Sequence, residues 1–189
     1  RFAALVHDIA KPNTRAIDLK KGYTFHGHDA VGERMLNRVS KRMKLSNDLK
    51  NYLKKLTLLH LRPIALAKKE ITDSAIRRVM VAAGEDLDDL LVLCRADITT
   101  KNPNKVKKYM KNFERVEQKM NDVNVRDSMK RFQSPIRGDE IMKICGIKEG
   151  KIVGQIKLDI ENAILDGKID NTYDAANQYF IDIKDSYLK

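Results

Sequence analysis

Imidazoles and carboxylates are the side chains from which proteins build sites for divalent transition metals and magnesium. The chain has only four histidines, His7, His26, His28 and His60. A lone histidine is usually a packing residue, so their placement carries more than their number. His7 sits beside Asp8 at the end of an apolar stretch, His28 opens a helical pattern, and His60 closes another. Asp97 follows Arg95-Ala96 in an otherwise apolar run that includes Leu90, Leu91, Leu93 and Ile98. A carboxylate among such neighbours is costly unless it is paired or ligates a cation. His7, Asp8 and Asp97 are therefore expected to converge in space. A purely structural use of the same shape, without a working metal, is the bland alternative.

The elements that must position these residues read as helices almost throughout, because apolar residues recur at helical spacing. A first helix is predicted over Arg1–Ala10, stopped at Lys11-Pro12. A polar loop runs from Asn13 to Gly27 and holds a small hairpin around Tyr23-Thr24-Phe25. A second helix is predicted over His28–Met43. A third is capped by Ser46 and ends near Arg62-Pro63. A fourth is capped by Asp73 and stops at Gly84, and a fifth covers Glu85–Thr100. After Asn102-Pro103-Asn104 a long sixth helix is predicted to about Phe132. Ser134-Pro135 marks a hinge, and three shorter helical segments follow, punctuated by Gly138, Gly146, Gly150 and Gly167. The expected fold class is all-α: a helical bundle over residues 1–132 and a smaller helical region over 133–189, divided at 133–137.

Composition narrows the function. Hydrophobic residues make up 42% of 189, enough for a packed core. No apolar run approaches the roughly 18–20 residues that cross a bilayer. Cys94 and Cys145 lie far apart among apolar neighbours, which reads as two buried thiols in a reducing, cytoplasmic setting rather than a disulfide. Arg1 is not a methionine, and its apolar helix starts without a capping residue, so a piece of a longer protein is expected.

Lys and Arg number 37 against 26 Asp and Glu, a formal charge of +11. Between Lys101 and Arg131 stand ten basic and four acidic residues, more than half of that excess. On the sixth helix Lys108, Arg115, Lys119, Arg126 and Lys130 share a face at about 100° per residue. Val106, Met110, Phe113, Val116, Met120 and Val123 form a neighbouring apolar stripe. One face packs while the next offers cations to a polyanion. Lys105, Lys108, Lys111, Arg115, Lys119, Arg126 and Lys130 are the candidate RNA contacts, to phosphates rather than to base edges. A merely solvated helix face is the alternative.

Ala4-Leu5-Val6-His7-Asp8-Ile9-Ala10-Lys11-Pro12 resembles the signature of HD-domain metal phosphohydrolases. The resemblance implies that His7, Asp8 and Asp97 are metal ligands, with His28 and His60 at the positions of the extra histidines of two-metal members. The family's upstream histidine has no counterpart, and Ala10 stands where glycine is usual. The metal implied is divalent: magnesium, manganese, nickel or similar. No catalytic residue beyond the ligands is implied.

A closer resemblance covers nearly the whole chain. Thr24-Phe25-His26-Gly27-His28-Asp29-Ala30-Val31-Gly32 and Cys94-Arg95-Ala96-Asp97 resemble segments of bacterial CCA-adding enzymes, tRNA nucleotidyltransferases of the poly(A) polymerase family. So do Ile136-Arg137-Gly138-Asp139-Glu140-Ile141-Met142, Gly150-Lys151-Ile152-Val153-Gly154 and Ala163-Ile164-Leu165-Asp166-Gly167-Lys168-Ile169-Asp170-Asn171. Glu149 departs from the proline usual there. The resemblance implies a parent that uses magnesium, CTP and ATP in an N-terminal head and neck, with tRNA as partner. This sequence shows no Gly-Ser followed by paired aspartates on a strand. It is expected to be the HD and tRNA-contacting part. A standalone HD nucleotide phosphohydrolase is the alternative.

Overall fold

The structure is a computed structural model. It describes residues 1–20, 22–67, 72–98, 100–127 and 134–188, the side chains of 125–127 excepted. Among the described residues the chain is all-α apart from one short hairpin. Helix α1 (Phe2–Val6) leads through a turn into α2 (Lys11–Thr14). Strands β1 (Ala16–Asp18) and β2 (Gly22–Thr24) pair antiparallel, Ala16 opposite Thr24. Then come α3 (His28–Met43), α4 (Asn47–Leu59), α5 (Leu61–Leu66), α6 (Asp73–Ala83), a 3₁₀ turn at Gly84–Asp86, and α7 (Leu87–Ala96). The long α8 (Pro103–Asp127) precedes α9 (Gly138–Cys145), α10 (Lys151–Leu165) and α11 (Tyr173–Tyr187).

The second helix has the bounds expected from the sequence. Gly27 enters it at φ 76°, a left-handed conformation that a glycine adopts without strain. Lys44 leaves it at φ 52°, ending the ladder. Ser46 caps α4 as expected, accepting from Leu49 N–H at 3.3 Å. Two prolines act differently from expectation. Pro12 does not stop α1, which already ends at Val6; it sits in the first turn of α2. Pro63 lies inside α5, near its start, and α4 has stopped at Leu59. Proline lacks only a donor that is unpaired in a first turn, so it starts helices as readily as it ends them. Thr72, not Asp73, caps α6, through a bond from Ala75 N–H. The fifth helix is shorter than expected, and Asp97 is its C-terminal capping residue rather than an interior one. The predicted end of the sixth helix near Phe132 lies outside the described residues.

Two apolar clusters hold the molecule. The larger draws on α1, α3, α4, α6, α7 and α8, with Leu36, Leu53, Leu56, Ile76, Leu90 and Val116 at its centre. Each such side chain contributes about 1.5–3 kcal/mol when fully buried. Gly32 lets α3 approach α4 closely: a Cβ there would stand 3.0 Å from Thr57 Cγ2. That approach sets the spacing between the helix ends that carry His28 and His60. The smaller cluster joins α9, α10 and α11 through Ile141, Val153, Ile156, Ile160 and Phe180. The two clusters meet where α10 packs on α6. Arg78 pairs with Asp166 at 2.7 Å and donates to Asn162 at 2.9 Å. Leu165 belongs to the larger cluster.

Candidate metal centre

Helix junctions bring the five singled-out residues together. His7 caps the C-terminus of α1, Asp8 lies in the turn after it, His28 is the first residue of α3, His60 joins α4 to α5, and Asp97 caps α7. His7 Nε2 is 3.2 Å from Asp8 Oδ2 and 3.4 Å from Asp97 Oδ1. His28 Nε2 is 3.2 Å from Asp8 Oδ1, and His60 Nε2 is 3.8 Å from the same oxygen. His7, Asp8 and His60 form a trio whose ligand-type atoms all lie within 4.8 Å of one another. Asp97 adjoins it through His7, and His28 adjoins it through Asp8. Exposed His26 is not among these contacts.

The tautomer of each ring follows from its backbone partner. Nδ1 of His7 lies 2.9 Å from Ala4 O, that of His28 lies 2.7 Å from Phe25 O, and that of His60 lies 2.7 Å from Thr57 O. A carbonyl oxygen can only accept, so each Nδ1 carries a proton, and in the neutral ring each Nε2 presents a lone pair. Three rings are thereby aimed inward by the same i to i−3 bond. The consequence is electrostatically awkward for an empty cluster. His28 Nε2 and His60 Nε2 stand 3.2 Å apart, two acceptors facing each other when both rings are neutral. His7 Nε2 and Asp8 Oδ1 are buried without any hydrogen-bond partner. Orphaned buried acceptors cost about 1–3 kcal/mol each. A cation among them would give the orphaned acceptors of His7 and Asp8 a partner, and neutral imidazole with carboxylate is the donor set such a cation takes. The residues present fit a divalent metal.

Sequence reasoning singled out the five ligand-type residues but not their supports. Lys11 Nζ lies 2.5 Å from Asp8 Oδ2 and also near the Phe25 ring. Its i, i+3 spacing from Asp8 was the available signal. Buried Cys94 donates its thiol to His60 O at 3.0 Å, holding the α4–α5 junction from α7. Burial pushes that thiol up to about 12, so it stays protonated and able to donate. No local pattern announces a contact over 34 residues.

Burial also lowers the pKa of His60, whose ring is fully enclosed. The sign of the linkage follows. The unfolded chain takes up a proton near the ordinary value of 6.5, while folded His60 resists it. His60 therefore contributes full stability above that value and loses it progressively as the pH falls below. Thermal unfolding of the metal-free chain is expected to show a falling Tm between about pH 6.5 and 5. His60→Gln should flatten that slope.

The second candidate surface is α8. Its apolar stripe packs as expected: Phe113, Val116, Met120 and Val123 are buried, and Val106 and Met110 are half-buried. Lys105, Lys108, Lys111 and Arg115 are exposed. Lys119 is half-buried and pairs with Asp73 at 2.8 Å. The side chain of Arg126 and the whole of Lys130 lie outside the described residues. In the tail, Phe180 is buried and Tyr179 and Tyr187 are partly buried, whereas Tyr173 is half exposed. No helix among the described residues is long and apolar enough to cross a membrane.

Comparison with known proteins agrees with this geometry. The HD domain matches residues 1–102, more than half of the chain. The chain belongs to the HD-domain family. It is similar to the A-adding tRNA nucleotidyltransferase of Deinococcus radiodurans, 31% identical over 169 residues, which cover 82% of this chain and 35% of that protein. It is also similar to the Multifunctional CCA protein of Legionella pneumophila, 30% identical over 105 residues, covering 51% of this chain and 24% of the relative. The chain thus spans about a third of the length of the first relative. Its likeness is to the HD-bearing part of tRNA nucleotidyltransferases. No solved structure gives a significant match.

Proposed function

We propose that this chain is the HD and tRNA-contacting portion of a tRNA nucleotidyltransferase of the CCA-adding type, and that its histidine–aspartate cluster is a divalent-metal site for phosphate-ester hydrolysis. The observation that carries the second half is the set of buried, unpartnered acceptors at His7 Nε2 and Asp8 Oδ1, converging with His28, His60 and Asp97. The likeness to the two tRNA enzymes supports the first half, since one alignment runs over 82% of the chain and well past the HD match. It favours that reading over a standalone phosphohydrolase. Addition of CCA by the parent, with CTP, ATP and magnesium in a separate head and neck, belongs to the same proposal. The two apolar clusters support a division into a bundle over 1–132 and a smaller tail over 133–189.

His7, His60, Asp8 and Asp97 would hold the metal, with His28 on the far side of Asp8. Asp8 stands between the two histidine sets and offers one oxygen to each. When bound, a divalent cation supplies Lewis acidity and lowers the pKa of water. The protein's share is positional. Three Nδ1–H bonds turn the rings so that each Nε2 faces the cluster. Lys11, partly exposed beside Asp8, offsets charge on an incoming phosphoryl oxygen. Hydrolysis of bis-p-nitrophenyl phosphate should appear with added manganese or nickel and vanish with a chelator. Its absence with every divalent metal tried would remove the hydrolytic reading.

For RNA, the exposed Lys105, Lys108, Lys111 and Arg115 are the proposed phosphate contacts, with Lys119, Arg126 and Lys130 completing the face. Binding of labelled tRNA should weaken with salt, each contact contributing about −0.7 to −0.9 to the log–log slope. Replacing Lys108, Arg115 and Lys119 by alanine should flatten it. Lys119 should contribute least, because Asp73 already neutralises it. Binding indifferent to salt would contradict the assignment.

A further inference from the structure

The hairpin turns its faces the opposite way from packing. Ala16 pairs with Thr24, Ile17 with Tyr23 and Asp18 with Gly22. Residues directly opposite each other in an antiparallel pair project to the same face. Ile17 and Tyr23 therefore share one face, and Asp18 and Thr24 belong to the other. Ile17 is 73% exposed and Tyr23 59%, whereas polar Asp18 and Thr24 are half-buried. Leu19, between the strands, is fully exposed. A shift of one residue along the strands would exchange the faces, so the adopted register holds an apolar pair in water. A two-stranded hairpin is marginal by itself and gains stability by laying an apolar face on something. This one leaves that face free, and adjoining exposed apolar side chains mark an interaction surface.

The chemistry of the face selects the partner. The Arg15 guanidinium lies 4.1 Å from the centroid of the Tyr23 ring, a cation–π contact. Arg15 is itself exposed, so a flat, cationic and aromatic surface stands open beside Ile17. From Lys11 to Thr24 four basic residues stand against one acidic residue, Asp18. Asp18 is engaged by the backbone N–H of Lys20 at 2.8 Å. That balance suits a polyanion. A duplex offers it phosphates but keeps its base faces stacked inside. An unpaired strand offers both, and tyrosine rings and arginine planes are the groups on which unpaired bases stack. The exposed cations of α8, by contrast, carry no such aromatic partner in their role and contact phosphates alone. We propose that the hairpin is a stacking platform for unpaired RNA, with a base on the Arg15–Tyr23 pair, Ile17 beside it, and Lys20 toward the phosphates.

The choice of RNA rests on the tRNA reading above; the choice of an unpaired strand rests on the hairpin. The 189-residue chain is titrated with labelled oligoadenylate and with an RNA duplex of equal phosphate number. Tyr23→Ala should weaken oligoadenylate about five- to fiftyfold and leave the duplex unchanged. Tyr23→Phe keeps the ring and should restore binding to within about twofold. Arg15→Lys keeps the charge but not the plane, and should weaken oligoadenylate about threefold at an unaltered salt slope. Should Tyr23→Ala fail to fold, Arg15→Lys still decides. If Tyr23→Ala and Arg15→Lys bind oligoadenylate as the parent does, the platform falls. If they do so while alanine at Lys108, Arg115 and Lys119 flattens the tRNA slope, the α8 reading stands without it. If they lose oligoadenylate while the α8 variant leaves that slope unchanged, the platform stands and the α8 reading falls. Sedimentation showing a dimer that Ile17→Ser dissociates, with oligoadenylate inert, would give the face to a second copy of the chain and overturn the proposal.

Discussion

Replacing Asp8 with asparagine is expected to lower affinity for manganese or nickel on the order of 100-fold or more, with little change in the stability of the metal-free chain. Asp8 presents two carboxylate oxygens to the cluster. One lies 3.2 Å from His7 Nε2 and the other 3.2 Å from His28 Nε2, so a single carboxylate serves both sides of the cluster. Losing only a residue that orients a ligand already costs about 10–100-fold in affinity. Losing the central anion costs more, because the three histidines bring no negative charge to offset a dication. Asparagine keeps the volume, and Lys11, the other partner of Asp8, is partly exposed and can be solvated instead. The apo protein should therefore keep its Tm within a few degrees. Isothermal titration with each metal, paired with melting curves, reads both quantities. Unchanged metal affinity in this variant would mean that the ion is held elsewhere.

The second large effect is thermal. A ligand that binds only the folded state at 100 times its dissociation constant adds about 2.7 kcal/mol of stability. For a chain of this size that raises Tm by about 5–10 °C. The cluster should show the full rise because its empty form is penalised: unpartnered acceptors lie buried at His7 and Asp8. Asp97→Ala should remove much of the rise and His60→Ala all of it. The rise should also shrink below about pH 6, where protons compete for the imidazoles. A Tm that ignores metal at every pH would show that the cluster is a packing feature.

Much of this architecture was legible in the sequence, and the misreadings have definite causes. The bounds of α3 follow from Gly27 before it and the amphipathic spacing within it. Ser46 announced α4 because its capping oxygen acts locally. Pro12 and Pro63 misled because proline marks a boundary without saying which side of it is helical. Thr72 and Asp73 are both good capping types, and only the backbone decides between them. Asp97 looked interior to a helix, since Ile98 continues the apolar pattern, yet it caps α7.

The ligand-type residues were singled out by type and by family resemblance, not by periodicity. Spacing alone cannot bring His28 to within 3.2 Å of His60 across 32 residues. The contacts missed entirely, Cys94 to His60 O and Lys119 to Asp73, are also long-range. They become visible only when helices are packed.

One ion is proposed to sit among His7, Asp8 and His60. Anomalous diffraction from crystals of this chain soaked in manganese or nickel measures it directly. The account predicts a peak at ligand distances near 2 Å from Nε2 of His7, Nε2 of His60 and a carboxylate oxygen of Asp8, with Asp97 drawn in beside it. A cluster left without a peak while the metal occupies another surface of the protein would contradict it.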